Sequence, residues 1–106
     1  MIPECDAVQL REMLADGHPL VVLDVREAHE YEAGHLTGSI HIGKGVLERD
    51  IENHGFSDDA RLVLYCGGGF RSAIAAQSLK QMGFSNASSL RGGWRAILAE
   101  NLPTEQ

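Results

Sequence analysis

Cysteine is scarce in this sequence. Among 106 residues only Cys5 and Cys66 are cysteines, and their separation fits neither a CxxC motif nor a four-ligand zinc site. His29, His35 and His41 are spaced by six residues, which matches neither one helix face nor a known set of metal ligands. We therefore expect no metal site. In a reducing compartment two such distant cysteines are not expected to form a disulfide, which leaves Cys66 as a free thiol.

Long hydrophobic runs are also absent. The N-terminal segment carries acidic residues early and lacks the apolar run of about seven residues that a secretory signal needs. No later segment approaches about eighteen apolar residues. These absences exclude a membrane partner and predict a cytoplasmic protein. Aromatic residues make up 6% of the chain, so the core must be mostly aliphatic, and the length fits one domain over residues 1–106.

Basic residues are outnumbered by acidic ones. The chain has nine Lys and Arg against fifteen Asp and Glu, and its formal net charge is −6. No cluster of Lys or Arg offers an electrostatic footprint for a phosphate backbone. The charge pattern therefore excludes nucleic acid as an expected partner.

The hydrophobic pattern alternates between strands and helices. Continuous apolar runs without alternation are typical of strands that are covered on both faces. Capping residues and glycine stops delimit the helices. The predicted strands are 20–25, 39–42, 61–66 and 86–90, and the predicted helices are 6–16, 27–33, 45–53, 71–82 and 94–100. This order predicts an α/β domain with a parallel sheet.

The candidate site lies in the segment RLVLYCGGGFRSA, residues 61–73. Cys66 ends a buried strand just before a helix, and ligands of open parallel sheets bind at such carboxyl ends. Gly67, Gly68 and Gly69 have no side chains, so their amides can turn toward one point beside the positive end of the helix. Such a cradle lowers a thiol pKa and predicts a nucleophilic thiolate.

Other interpretations of this loop exist. Cysteine is among the most buried residue types, so a strand-end cysteine taken alone is more often structural. Three successive glycines favour a reactive thiol, because they add no packing and cost backbone entropy. A dinucleotide loop would need GxGxxG and a later acid, and a Walker loop would need GK[ST]; neither is present. We expect no bound cofactor.

Three motifs in order along the chain resemble the rhodanese domain, a sulfurtransferase module. The stretch LDVREAHEYEAGHLTGSIHI, residues 23–42, is similar to the N-terminal signature of that family. The loop CGGGFRS matches the family's active loop of the form CxxGxR, with Cys66, Gly69 and Arg71 aligned. The segment RGGW, residues 91–94, resembles its closing element. Together these matches cover nearly the whole chain.

The resemblance implies a single-domain fold with a five-stranded parallel sheet flanked by helices on both faces. It also implies that Cys66 carries a persulfide, taking sulfur from thiosulfate or a persulfide donor and passing it to cyanide, a thiol or a protein acceptor. Arg71, with a fork of donors, would bind the anionic donor or leaving group. The substrate-binding residues implied are those of the loop: Gly67, Gly68, Gly69, Phe70, Arg71 and Ser72.

Two alternatives to this function stay open. Related dual-specificity phosphatases and arsenate reductases separate their Cys and Arg by five residues, whereas four separate Cys66 from Arg71, so the smaller ring favours sulfur. Many rhodaneses place a basic residue directly after the cysteine, where this chain has Gly67. That departure predicts weak use of thiosulfate, favours a persulfide donor, and leaves a sulfur carrier or binding module as the second alternative.

Other polar residues near the motifs are predicted to be structural. Asp24, Arg26 and Glu30 are expected to form a polar network between a strand and the following helix. His35 is expected to fix the LTGS turn, and Cys5 to be an incidental thiol. Phe70 and Trp94 are expected either to line the pocket mouth or to pack in the core.

Overall fold

The computed structural model describes residues 3–106. Its strands are β1 (Glu4–Cys5), β2 (Val21–Asp24), β3 (His35–Leu36), β4 (Ile40–His41), β5 (Leu62–Tyr65), β6 (Ala87–Leu90) and β7 (Thr104–Glu105). Its α-helices are α1 (Ala7–Ala15), α2 (Ala28–Ala33), α3 (Leu47–Asp50), α4 (Phe70–Gln81) and α5 (Gly93–Ala99). Short 3-10 turns, Lys44–Val46 and Ile51–His54, flank α3. Among the helices described, none is long and apolar enough to cross a bilayer.

Five strands form one parallel sheet in the order β1-β6-β5-β2-β4. The expected α/β fold with five parallel strands is thereby confirmed. The sequence pattern did not indicate β1, whose two residues pair with the edge of β6. The strand predicted at 86–90 is observed as β6, but it is not the last strand, because β7 follows and pairs antiparallel with β3 in a separate two-stranded ribbon.

The sheet separates two apolar clusters. On one face Leu23, Leu62 and Leu64 pack with Cys66 and with the α4 residues Ala75, Ala76 and Leu79. On the other face Val22, Val63 and Tyr65 pack with Leu10 of α1 and Ile97 of α5. The side chains of β5 therefore alternate between the two clusters and all four are buried, as expected for a central strand covered by helices on both sides. Cys66 lies at the carboxyl end of this central strand.

Local capping explains the helix that follows β1. The Asp6 side chain accepts a hydrogen bond from the Gln9 amide at 2.8 Å, and the Gln9 side chain accepts one from the Asp6 amide at 2.8 Å. This reciprocal capping box satisfies two amides that have no partner within the helix. The predicted start of the first helix is thus confirmed, and α1 leads into β2 beside β5.

Candidate active site

The loop after β5 curls around the Cys66 sulfur. The amide of Gly69 donates to Sγ at 3.1 Å and the amide of Ser72 donates at 3.3 Å. Gly69 has φ of 104°, a left-handed conformation that lets the chain turn inward just before α4 begins. The N–H group of Gly69 at the end of the loop and that of Ser72 in the first turn of α4 thereby point at the same sulfur atom.

The outer side of the loop rests on α5. The carbonyl of Cys66 accepts from the Trp94 amide at 2.7 Å, and that of Gly67 accepts from the Arg95 amide at 3.4 Å. Gly93 has φ of 51°, and a Cβ built on it would lie 2.1 Å from the Cys66 carbonyl oxygen. The RGGW segment is therefore the support of the loop, and only glycine fits at position 93.

Two buried serines extend the polar contacts of the sulfur. The Ser72 hydroxyl lies 3.6 Å from Sγ and donates to the Gly69 carbonyl at 3.2 Å. It also lies 2.8 Å from the hydroxyl of Ser89 on β6. Both serines are fully buried. The sequence pattern did not indicate Ser89, and its only signal was a pair of serines within an otherwise buried strand.

The pKa of the Cys66 thiol is lower than that of an ordinary cysteine. Burial alone would raise this pKa, but the opposing hydrogen bonds outweigh it. They come from the hydroxyl and amide of Ser72 and, with smaller effect, from the amides of Gly69 and Gly68. Hydrogen bonds to the charged form favour that form, so the loop stabilises a thiolate.

The Cys66 thiol is almost completely buried. Cys66 is 1% exposed, whereas Gly68 is exposed and Gly67 and Gly69 are half-buried. The sulfur therefore lies under the loop and not open to solvent. It is nevertheless surrounded on the loop side by amides directed at it, which distinguishes it from a cysteine packed only among apolar groups.

Arg71 is paired with Glu30 and is not a free cation at the loop. Its Nη1 lies 3.0 Å from Glu30 Oε1 and its Nη2 lies 3.3 Å from Oε2, which makes a bidentate pair between α4 and α2. A Cβ on Gly67 would lie 3.4 Å from Arg71 Nη2, so the guanidinium is next to the loop. Arg71 therefore lies next to the Gly67 backbone, together with a counterion that the sequence did not indicate.

The expected network of Asp24, Arg26 and Glu30 exists only in part. Arg26 Nη2 bonds Asp24 Oδ2 at 2.7 Å and the carbonyl of Gly34 at 2.6 Å, and both charged side chains are buried. Its guanidinium also lies over the Trp94 ring, 4.6 Å from the centroid. Glu30 does not join this network, and its carboxylate pairs with Arg71 instead.

The prediction that His35 fixes the LTGS turn is wrong. His35 Nδ1 lies 2.8 Å from the Tyr31 carbonyl, and its ring stacks on Tyr31 with centroids 3.7 Å apart. The turn that follows is held by Ser39, whose hydroxyl and amide both donate to the Leu36 carbonyl. His35 thus fixes the end of α2, and Ser39 fixes the LTGS turn.

The two aromatic residues near the loop differ in environment. Phe70, the first residue of α4, is 78% exposed. Trp94 is half-buried, packs against the cluster on the α1 and α5 face, and stacks on Tyr65 with centroids 6.3 Å apart. Core packing therefore accounts for Trp94, whereas Phe70 lies on the surface beside the loop.

Cys5 is separated from Cys66 by the sheet. Both are free thiols, but they belong to clusters on opposite faces. The pKa of Cys5 is raised, chiefly by burial and then by the charge of Asp6. Among residues 3–106 no group of three His, Cys, Asp or Glu side chains is placed to hold a metal ion.

The fold and the cysteine loop together define the class of protein: it is an α/β domain with a cysteine of lowered pKa at the end of its central strand. The family model for the rhodanese-like domain matches residues 6–100, and the chain belongs to this family of sulfurtransferases and sulfur carriers. The expected family and fold are therefore confirmed.

Individual relatives differ in their stated roles. The chain is 37% identical over 105 residues to the thiosulfate sulfurtransferase GlpE of Pseudomonas fluorescens, covering 90% of this chain and 84% of that protein. It is 32% identical over 94 residues to the putative sulfur carrier protein YrkF of Bacillus subtilis. That match covers 89% of this chain, which spans only 50% of YrkF.

A solved structure agrees with the fold over nearly the whole chain. The crystal structure of a rhodanese-related protein from Thermoplasma volcanium superposes with a TM-score of 0.85 at 29% identity. The match covers 97% of each chain. The five-stranded sheet and its helices are therefore those of a rhodanese-like domain.

Proposed function

We propose that this chain is a sulfurtransferase that moves a sulfane sulfur through a persulfide on Cys66. The observation that carries the proposal is the pair of amides, from Gly69 and Ser72, that donate to Sγ at 3.1 and 3.3 Å. They stabilise the thiolate before reaction, and they would hold the terminal sulfur of a persulfide afterwards.

The reaction proceeds in two displacements. The Cys66 thiolate attacks the outer sulfur of thiosulfate or of a persulfide donor, the donor's S–S bond breaks, and sulfite or a thiolate leaves with the electron pair. An acceptor thiolate or cyanide then attacks the terminal sulfur of the Cys66 persulfide. The bond to Sγ breaks, and its electron pair restores the Cys66 thiolate. No general acid is needed, because both leaving groups are stable anions.

Each loop residue has a role in this proposal. The Gly67, Gly68 and Gly69 backbone forms the ring around the transferred sulfur, and Ser72 supplies an amide and a hydroxyl. Arg71 attracts the anionic donor to the loop mouth. Phe70, exposed at that mouth, would contact the acceptor, which is a small thiol, cyanide or a cysteine of a partner protein.

A sulfur carrier that lacks its own turnover is the second candidate. The paired state of Arg71 and the missing cation at Gly67 favour it, because both reduce the attraction of the loop for thiosulfate. The name of YrkF as a putative sulfur carrier also supports it. In this case Cys66 still takes up one sulfur, but release requires a protein partner.

Sulfur loading and turnover are tested together. The protein is incubated with thiosulfate, or with the persulfide of 2-mercaptoethanol, and its peptides are analysed by mass spectrometry while thiocyanate formation from cyanide is followed. We expect one added sulfur on the Cys66 peptide and thiocyanate above the background of Cys66→Ala. Cys5→Ala is the matched control and is expected to behave like wild type.

The outcomes separate the two candidates. Loading of Cys66 without turnover above Cys66→Ala supports the carrier. An unloaded Cys66 with both donors would refute both candidates, since each depends on a persulfide at this position.

A further inference from the structure

Glu30 and Arg71 form an ion pair at the mouth of the cysteine loop. The guanidinium uses both terminal nitrogens on the two carboxylate oxygens, at 3.0 and 3.3 Å. Glu30 Oε1 also accepts from the Glu27 amide at 3.0 Å, which fixes the carboxylate at the start of α2. The side chains are 29% and 37% exposed, so the pair lies at the surface of the site. The carboxylate is therefore held in place, with the cation facing it.

This pair changes the charge that a sulfur donor meets. The fork of donors on Arg71 would otherwise suit an oxyanion, but here its positive charge is balanced by Glu30. The position after the nucleophile, Gly67, has no side chain to supply a second cation. A dianion such as thiosulfate would have to displace Glu30 or bind beside a negative charge, whereas a donor with one negative charge or none would meet less opposition.

We propose that Glu30 is a specificity-determining residue that disfavours dianionic sulfur donors and thereby favours alkyl persulfides. The inference rests on the proposed sulfur transfer through Cys66. With an alkyl persulfide, R–S–SH, the Cys66 thiolate attacks the outer sulfur and the S–S bond breaks. The released R–S⁻ keeps the electron pair, and the proton stays on the new Cys66 persulfide, so atoms and charge balance.

The carboxylate remains ionised at any pH at which transfer occurs. The hydrogen bond from Arg71 lowers the pKa of Glu30 from 4.5 to about 2, and the Glu27 amide adds to this effect against the opposing effect of burial. The discrimination against dianions is therefore constant over the neutral range. The proposed discrimination therefore does not respond to changes of pH in this range.

Glu30→Gln tests the proposal, because glutamine keeps an oxygen for the Glu27 amide but removes the charge. The donors are thiosulfate and the persulfide of 2-mercaptoethanol, whose organic group is uncharged. We expect kcat/KM for thiosulfate to rise at least about fivefold, which corresponds to about 1 kcal/mol, through a lower KM. We expect the persulfide value to change less than about twofold. A merely structural role would move both donors together.

Glu32→Gln is the matched control. Glu32 lies on the same helix, is exposed, and has no ion pair within residues 3–106, so its substitution changes the net charge equally at a distance from Arg71. We expect the wild-type donor ratio for this variant. An equal rise in both Gln variants would attribute the effect to overall charge and overturn the proposal.

A double-mutant cycle identifies the route of the effect. In an Arg71→Ala background the substitution Glu30→Gln is expected to change the donor ratio less than in wild type, since only the direct repulsion by the Glu30 charge is then relieved. Persistence of the full gain in that background would overturn the assigned route through Arg71. Normal persulfide transfer with an unchanged donor ratio in Glu30→Gln would overturn the specificity role alone. Absence of transfer from both donors in wild type would overturn this role together with the proposed function.

Discussion

At the scale of single residues, the state of the Cys66 sulfur depends on a short chain of hydroxyl groups. Ser72 Oγ has three polar neighbours: Sγ at 3.6 Å, the Gly69 carbonyl at 3.2 Å and Ser89 Oγ at 2.8 Å. A hydroxyl has one proton to donate. If Ser89 donates to Ser72, the Ser72 proton remains for the sulfur or for the Gly69 carbonyl. In that arrangement Ser89 orients a group that stabilises the thiolate.

Ser89→Ala is expected to raise the pKa of the Cys66 thiol. Without the Ser89 hydroxyl, Ser72 loses the neighbour that orients its proton, and the thiolate loses part of its stabilisation. We expect alkylation of Cys66 by iodoacetamide at neutral pH to slow by about threefold, since one hydrogen bond contributes on the order of 1 kcal/mol. The rate is measured against pH in a Cys5→Ala background.

Ser88→Ala is the control for this experiment. Ser88 is the preceding residue of β6 and is half-buried, and alternation along the strand directs its side chain to the other face. We expect the alkylation profile to match the background protein. A profile for Ser89→Ala that coincides with that of Ser88→Ala would contradict the role of Ser89.

The sequence identifies the site residues that are close to one another along the chain. Cys66 and its glycines form a local motif, and the capping pair of Asp6 and Gln9 is equally local. The contacts between Glu30 and Arg71 and between Ser72 and Ser89 join residues 41 and 17 positions apart. Such contacts depend on how elements pack, and the sequence pattern of either segment alone does not specify them.

At the scale of elements, the loop and α5 form one unit. Amides of Trp94 and Arg95 bind the carbonyls of Cys66 and Gly67 on the outer side of the loop. With their carbonyls bound there, the peptide groups of the loop are restrained, which helps to keep neighbouring amides directed at the sulfur. The placement of α5 therefore supports the conformation of the loop that carries the nucleophile.

Gly93→Ala is expected to disrupt this unit. The new Cβ would lie 2.1 Å from the Cys66 carbonyl oxygen, so the loop and α5 must separate. We expect the free energy of unfolding to fall by more than about 3 kcal/mol and the pKa of the Cys66 thiol to rise. Urea denaturation and the pH profile of Cys66 alkylation measure the two effects.

Gly17→Ala separates backbone strain from steric clash. Gly17 also has a positive φ, 79°, but a Cβ there would meet nothing within 4 Å. We expect a loss of only about 1 kcal/mol, the ordinary cost of a left-handed alanine, with Cys66 reactivity unchanged. Equal losses in the two variants would mean that α5 does not support the loop.

Elements with strong local signals were predictable. The apolar runs of β2 and β5 and the glycine stops after α2 and α4 led to bounds within one or two residues of those observed. The strands β1, β3 and β7 have two residues each, too few for a hydrophobic period. Their conformation comes from pairing with residues far along the chain, such as His35 with Glu105.

At the scale of the whole molecule, Arg61 joins the start of β5 to the end of α1. Its guanidinium bonds both carboxylate oxygens of Asp16, at 3.0 and 3.1 Å, and the carbonyl of His18 at 3.1 Å. These residues are about 45 positions apart along the chain. The pair thus fixes the first helix against the central strand that carries Cys66.

Asp16 is expected to make stability depend on pH in the acid range. The hydrogen bond from Arg61, followed by that from the His18 amide, lowers the pKa of Asp16 from 3.8 to about 2. The Asp16 carboxylate therefore binds a proton more readily in the unfolded chain than in the folded one. The stability that this group contributes above about pH 3.8 is lost as the pH falls toward about 2. We expect Asp16→Asn to show a shallower decline over that window, measured by urea denaturation at several pH values.

Glu12→Gln serves as the reference for that measurement. Glu12 is on the same helix, is exposed, and has no ion pair within the described part of the chain. We expect it to keep the steep wild-type decline. A decline as steep in Asp16→Asn as in Glu12→Gln would show that the contact with Arg61 does not contribute.

The position of the two thiols on opposite sides of the sheet has a consequence under oxidative stress. Peroxide that reaches a buried thiolate beneath the loop would convert it to a sulfenic acid, which a neighbouring cysteine commonly captures as a disulfide. Cys5, on β1, and Cys66, at the end of β5, belong to clusters on opposite faces of the sheet, so Cys5 offers no such internal rescue. Recovery of an oxidised Cys66 therefore requires a reductant from outside the molecule, such as a small thiol or another protein.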